Sequence, residues 1–157
     1  TVLRPGHIYG PGSQLGCLPE HGRDPQLIRR LRAGEVLRLV GGGHFLQQPI
    51  LARDLAETIL SCHENAQVYG RIFNAAGPQI VESIDYYRLI AERLGVALKV
   101  EEVPVSAYRA AHPEHASFLC HRIYDLTRLQ HSGATVPSTP LAEGLRAQID
   151  LLAAQSG

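Results

Sequence analysis

His112 and His115 stand three apart in the stretch HPEH, with His121 close behind, and three imidazoles are enough to hold a zinc ion. Pro113 interrupts any continuous helical face through them, and no cysteine joins them at metal-ligand spacing, so the spacing assigns no metal. A serine nucleophile fares no better: GxSxG is absent, and Ser13 in GPGSQLG sits in a loop without a strand-turn-helix elbow. Glu101 and Glu102 are neighbours on an expected strand, so they point to opposite faces and cannot share acid/base work; one solvated and one salt-bridged carboxylate are expected. Gly6, Gly10, Gly12 and Gly16 do not make GxGxxG, and GxxxxGK does not occur. The triple glycine Gly41–Gly43 precedes an extended piece, HFLQQPI, and therefore reads as a turn with no helix dipole to offer an anion.

The elements that must position any site follow from periodicity. After a Gly- and Pro-containing loop over 13–23, Asp24 and Pro25 open a helix expected to reach Ala33 and stop at Gly34. EVLRLV and FLQQPI read as short strands, and ARDLAETILSCHEN as a helix turning Leu55, Ile59 and Cys62 inward. RIFNAAG reads as a buried strand ending at Gly77, and SIDYYRLIAERLG as an amphipathic helix burying Ile84, Tyr87, Ala91 and Leu94 and closed by Gly95. ALKVEEVP is another strand. Then come a short helix near Ala107, another over 123–131, and a last one opened by Thr139 and Pro140 with Leu141, Leu145, Ile149 and Leu152 inward. Strands alternating with helices, then a helical tail, predict an α/β fold.

Composition bounds the function classes. A chain of 157 residues, 45% hydrophobic and 19% charged, has enough apolar mass for one globular core. A formal net charge of +0 argues against nucleic acid or an acidic membrane surface as partner. The three cysteines, Cys17, Cys62 and Cys120, share no CxxC spacing and read as buried or free thiols of a reducing compartment. With no signal-peptide pattern and no long apolar span, a cytoplasmic protein is expected.

Four phrases, in order, carry a resemblance. TVLRPGHIYGPG resembles the segment that follows the catalytic tyrosine and lysine in the extended short-chain dehydrogenase/reductases, the NAD-dependent epimerase/dehydratase family. QQPILARDLAETIL is similar to that family's V-x-D-x-A helix entry, and GRIFNAAGPQIVESIDYYRLIAERLG to its next strand-helix unit. YDLTRLQHSGATVPSTPLAEGLRAQIDLL resembles the closing phrase. The resemblance implies an incomplete Rossmann-type, NAD(P)-binding α/β fold with a small mixed C-terminal lobe. It makes residues 1–157 a single substrate-binding region, with the N-terminal dinucleotide-binding half outside the chain. The family's Tyr-x-x-x-Lys pair is not found: the six tyrosines are followed four residues later by Ser13, Phe73, Ile90, Ala91, His112 and Arg128, and Lys99 is the sole lysine.

Carried over position by position, the resemblance brings Pro5, Gly6, His7 and Ile8 against the nicotinamide of NAD or NADP, and points His7, Tyr9, Gln47, Gln48 and Arg53 to substrate. His7 stands where relatives acting on nucleotide sugars often carry asparagine, and Tyr9 suits packing beside the pocket. Asp54 is expected to support its helix through the macrodipole, and Asp125 and Arg128 to be a cap and a surface charge. No catalytic residue and no metal ligand is assigned, and the chain alone is expected neither to turn over nor to bind the dinucleotide tightly. The favoured reading is the substrate-binding portion of an NAD(P)-dependent epimerase, dehydratase or reductase, with a small-molecule substrate and either the N-terminal half or a second copy as partner. A non-catalytic binding or regulatory module, RNA-binding through Arg29, Arg30 and Arg32, is the second reading, and a metal enzyme built on the histidines is the third.

Overall fold

Pro5 cannot donate to a ladder, yet strand β1 (Val2–Pro5) pairs along its length with β6 (Ile72–Ala75), in parallel, from Val2 beside Ile72 to Pro5 beside Ala75. The computed structural model describes residues 1–155. Strand β2 (Ile8–Tyr9) pairs in parallel with β5 (Ile50–Leu51), β3 (Val36–Val40) in parallel with β8 (Lys99–Val103), and β4 (Leu46–Gln47) antiparallel with β7 (Val81–Glu82). Among the described residues every sheet has two strands. The helices are α1 (Leu27–Arg32), α2 (Ala52–Ser61), α3 (Ser83–Leu94), α4 (Val105–Ala111), α5 (Thr127–Gln130) and α6 (Leu141–Gln155). The expected α/β class is what forms.

Most of the apolar stripes meet in one core. Leu27, Leu31, Leu37, Tyr87, Ile90, Leu145 and Ile149 bring α1, β3, α3 and α6 together, and Arg93 pins α3 to Asp150 of α6 at 2.8 Å on the surface. Gly95 ends α3 in the left-handed conformation that a side chain resists, at φ 69. Gly41–Gly43 form a single tight turn, all at positive φ. Tyr9 belongs to this core, and Gly144 of α6 exists to admit it: a Cβ there would overlap the Tyr9 hydroxyl and approach its ring carbons to 2.9 Å. Gly144→Ala should therefore lose about 1–3 kcal/mol in urea denaturation despite its better helix propensity. Tyr9→Phe in that background should recover part of the loss.

Several expectations are corrected. Helix α1 begins at Leu27, because Asp24 spends its cap on the Gln26 N–H at 2.8 Å in a turn just ahead of the helix and on Arg30 at 2.9 Å. FLQQPI splits into β4 and β5 on either side of Gln48 and Pro49. Strand β6 is half-buried: Phe73 and Ala75 face in, whereas Ile72 is 40% exposed. Glu101 and Glu102 both face solvent. The helix expected over 123–131 is one turn long; its cap position is Leu126, and Asp125 instead accepts the Thr127 N–H at 2.8 Å in a turn just ahead of the helix, while Arg128 lies over the Phe73 ring.

The largest correction concerns α2. Its buried residues are Asp54 and Thr58, and Ile59 is 54% exposed. The helix is held by polar hooks: Asp54 accepts from the N–H groups of Ser138 and Thr139 at 3.0 and 2.8 Å and from the Thr139 hydroxyl at 2.7 Å. Ser61 accepts the Thr135 N–H at 2.7 Å. Asp54 thus anchors the approach to α6, a job that reaches well beyond its own first turn.

Candidate functional site

Between β1 and β2 the chain turns through Gly6 and His7 and presents its backbone to a cavity of about 410 Å³. Pro5, Gly6, His7 and Ile8 form one wall, Leu18 and Arg23 another, and Gln47, Arg122 and Tyr124 a third. Gly6 is needed there for packing: a Cβ would meet the Gln48 carbonyl oxygen at 2.6 Å and the Tyr124 ring at 3.3 Å. A concavity of about 560 Å³ between α3 and α6 is larger; it is lined by Leu89, Leu145 and Ile149 together with Glu92, Arg93 and Arg146, and its Arg93 is already paired with Asp150.

Gln47 and Gln48, adjacent in sequence, part company in space. Both are buried, but Gln47 faces the cavity, donating from its amide to the Ser83 hydroxyl and the Leu18 carbonyl. Gln48 faces the other way and is consumed by backbone, donating to the Gly77 carbonyl at 2.9 Å and accepting the Tyr124 N–H at 2.8 Å. It positions the Tyr124 wall. Tyr9 is buried in the core and Arg53 is an exposed partner of Glu57 beside a separate shallow concavity, so neither lines this cavity.

His7 is half-buried, with its ring centroid 5.7 Å from that of fully buried Tyr86. Burial lowers its proton affinity below the usual imidazole value; the Gln47 hydrogen bond opposes that shift, and the Arg122 and Arg23 charges add to it. The unfolded chain then takes up a proton near 6.5 that the folded chain refuses, so stability from this group is complete above that pH and falls as pH drops toward the lower folded value. The loss of stability between about pH 7.5 and 5.5 should be smaller in His7→Gln than in the parent chain, as measured by urea midpoints. An equal loss in both would contradict the depressed value.

Arg23 and Arg122 are the functional candidates that motif reading missed. Among the described residues neither has a carboxylate partner, although both line the cavity. Arg122 is aimed by donating to the Phe118 carbonyl at 2.9 Å with its guanidinium 5.7 Å from the Phe118 ring centre, and its own N–H is held by the Leu46 carbonyl at 2.8 Å. Arg23 sits at φ 57, in the left-handed region that a non-glycine residue rarely occupies. Two uncompensated guanidinium groups beside one neutral imidazole, one amide and exposed backbone make an anion-accepting cavity. The signal available in sequence was position: Arg122 directly precedes the IYD of the closing phrase.

Other reactive groups are occupied. The Cys17 thiol is buried and pushed well up by burial, hence protonated and not a nucleophile. The three arginines of the basic stripe are engaged: Arg29 with Glu35, Arg30 with Asp24 and Glu35, and Arg32 with the Ala153 carbonyl. No helix among the described residues is long and apolar enough to cross a membrane.

The chain superposes on the UDP-glucose 4-epimerase of Thermotoga maritima, solved with UDP-glucose, over 99% of its length and 46% of that protein's, with a TM-score of 0.77 and 19% identity. The chain therefore has the α/β fold of the matching part of that epimerase. Two other solved structures carrying this fold match similarly. One is the UDP-N-acetylglucosamine 4-epimerase of Methanobrevibacter ruminantium in complex with UDP-N-acetylmuramic acid (TM-score 0.74, 18% identity, 98% of this chain and 46% of that one). The other is the UDP-glucuronic acid 4-epimerase of Bacillus cereus in complex with UDP-glucuronic acid and NAD (TM-score 0.73, 16% identity, 98% and 45%). In sequence, the chain is 29% identical over 145 residues to the dTDP-4-dehydro-6-deoxy-D-allose reductase of Streptomyces bikiniensis, covering 92% of this chain and 40% of that enzyme. No family model matches the chain. The chain spans less than half the length of these relatives.

Proposed function

We propose that the cavity at the β1–β2 turn binds a nucleotide-sugar-like substrate, with its anionic portion between Arg23 and Arg122. In this reading residues 1–155 serve as the substrate-binding portion of an NAD(P)-dependent sugar epimerase, dehydratase or reductase. The single observation that carries it is the pair of guanidinium groups without carboxylate partners lining the same cavity. The nucleotide sugars named with the solved relatives support the substrate class.

The residues here fit one edge of a dinucleotide. The Pro5–Ile8 backbone offers a wall, whereas a glycine-rich cradle and a Tyr-x-x-x-Lys pair are not among the 157 residues. When bound, such a cofactor supplies hydride transfer to and from a substrate carbon. This chain's own residues do the rest of the work assigned to it. Arg23 and Arg122 neutralise the ligand's anion, Gln47 and neutral His7 offer a hydrogen-bond donor and acceptor pair to its polar portion, and Ile8 with Leu18 shields them from water.

A dinucleotide-binding half outside these residues has a place to join. A lone pair of parallel strands is unusual, because parallel sheets are normally wider and covered on both faces, and here Val2 and Ile72 are 52% and 40% exposed. The unpaired edge of β1 is suited to continue the sheet. Calorimetric titration with UDP-glucose, and separately with a stem-loop RNA at two salt concentrations, tests the substrate reading. Saturable UDP-glucose binding supports it; RNA binding that weakens steeply with salt, without sugar-nucleotide binding, would overturn it in favour of a nucleic-acid module.

A further inference from the structure

Outside the cavity lining, one set of side chains converges as metal ligands do. Helix α4 ends at Ala111, His112 caps it at φ −133 and ψ 66, and Pro113 opens a 3-10 helix over Pro113–Phe118. At three residues per turn, positions three apart eclipse one another, so the proline that denies these histidines an α-helical face brings them together by another route. The His115 N–H bonds the His112 carbonyl at 3.0 Å, and the two rings stack at 5.4 Å and 16°.

Glu114 completes the group. Its Oε1 lies 3.4 Å from His112 Nδ1 and 3.7 Å from His115 Nε2, and the three ligand atoms all lie within 4.8 Å of one another. A tetrahedral zinc ion with bonds of about 2.0–2.1 Å spaces its donors about 3.3–3.4 Å apart, so a small closure brings this set to coordination distance. His115 is also oriented from behind. Its Nδ1 is 2.9 Å from the Tyr108 hydroxyl, which donates to the Pro19 carbonyl at 3.2 Å. A hydroxyl whose proton is spent on a carbonyl accepts from the imidazole, so Nδ1 carries the hydrogen and the Nε2 lone pair faces Glu114. That outer hydrogen bond is the arrangement that fixes the tautomer and orientation of metal-bound histidines.

We propose that His112, Glu114 and His115 bind a divalent cation of the zinc class, with Tyr108 as the positioning residue for His115 and the remaining coordination open to water. Two imidazoles and one carboxylate select zinc, nickel or copper over magnesium and calcium, which prefer all-oxygen sets. The imidazole edges and the carboxylate face solvent, which gives the ion an entry path.

The test is a calorimetric titration of zinc chloride into the Cys120→Ser chain under a phosphine reductant, which removes the exposed thiol as a competitor. One equivalent should bind. His112→Ala/His115→Ala should weaken binding by more than about a hundredfold, and Tyr108→Phe by about tenfold, the cost of losing an outer hydrogen bond. Tyr108→Phe keeps its ring packed with Val40, Val103 and Leu119, so far-ultraviolet circular dichroism should be unchanged. His63→Ala, at another exposed His-Glu pair, should bind as the parent does. Absence of zinc binding, or binding that survives the double substitution unchanged, overturns the site.

Discussion

Asp54→Ala should cost about 3–5 kcal/mol of folding stability, the largest loss expected from any single substitution described above. The side chain is 4% exposed and is the acceptor for two backbone N–H groups and a hydroxyl of residues 138 and 139. A hydrogen bond to a charged acceptor contributes about 1.5–3 kcal/mol, and removing the acceptor leaves two orphaned donors near the start of α6. Asp54→Asn can keep one acceptor oxygen and should lose less, about 2 kcal/mol. Thr139→Val, which removes the hydroxyl alone, should lose about 1 kcal/mol. Urea denaturation followed by circular dichroism orders the three. A loss below that of Thr139→Val in the Asp54→Ala chain would show that α2 is held in some other way.

The second large effect falls on binding. Arg23→Gly with Arg122→Gln should weaken a nucleoside diphosphate by at least about a hundredfold, since each guanidinium contributes about 1.5–3 kcal/mol through charge-assisted hydrogen bonds. Glycine is chosen at 23 because the residue occupies φ 57, where a side chain is strained by about 1–3 kcal/mol. Arg23→Gly should therefore leave the urea midpoint level or slightly raised while binding falls, which separates a ligand contact from a structural one. Arg122→Gln retains a donor for the Phe118 carbonyl and should keep that segment in place. A midpoint that drops together with affinity would mean that these arginines hold the fold and not the ligand.

Much of this was legible in the sequence, and the misses have physical reasons. Gly95 and the spacing of Ile84, Tyr87 and Ala91 located α3, because apolar periodicity and a left-handed terminator are local signals. The same periodicity misled at α2. Leu55, Ile59 and Cys62 make an apolar stripe, but the inward face belongs to Asp54 and Thr58, whose partners lie near residues 135–139 and leave no local trace. Gln47 and Gln48 are neighbours in sequence, yet only the fold says that one meets the cavity and the other is spent on the backbone of Gly77 and Tyr124. Arg23 and Arg122 carried no motif; what distinguishes them is the lack of a carboxylate nearby, a property of space. Pro113 correctly excluded an α-helical pair of histidines and concealed a 3-10 one.

The most direct test of the cavity assignment is a map of backbone amide and arginine side-chain NMR shifts as UDP-glucose is titrated into the isotopically labelled chain. The account predicts saturable changes concentrated at Gly6, His7, Ile8, Gln47, Arg122 and Tyr124, abolished in Arg23→Gly/Arg122→Gln, with the α3–α6 face undisturbed. Changes centred on Leu89, Arg146 and Ile149 instead, or none at ligand concentrations that saturate the related enzymes, would contradict it.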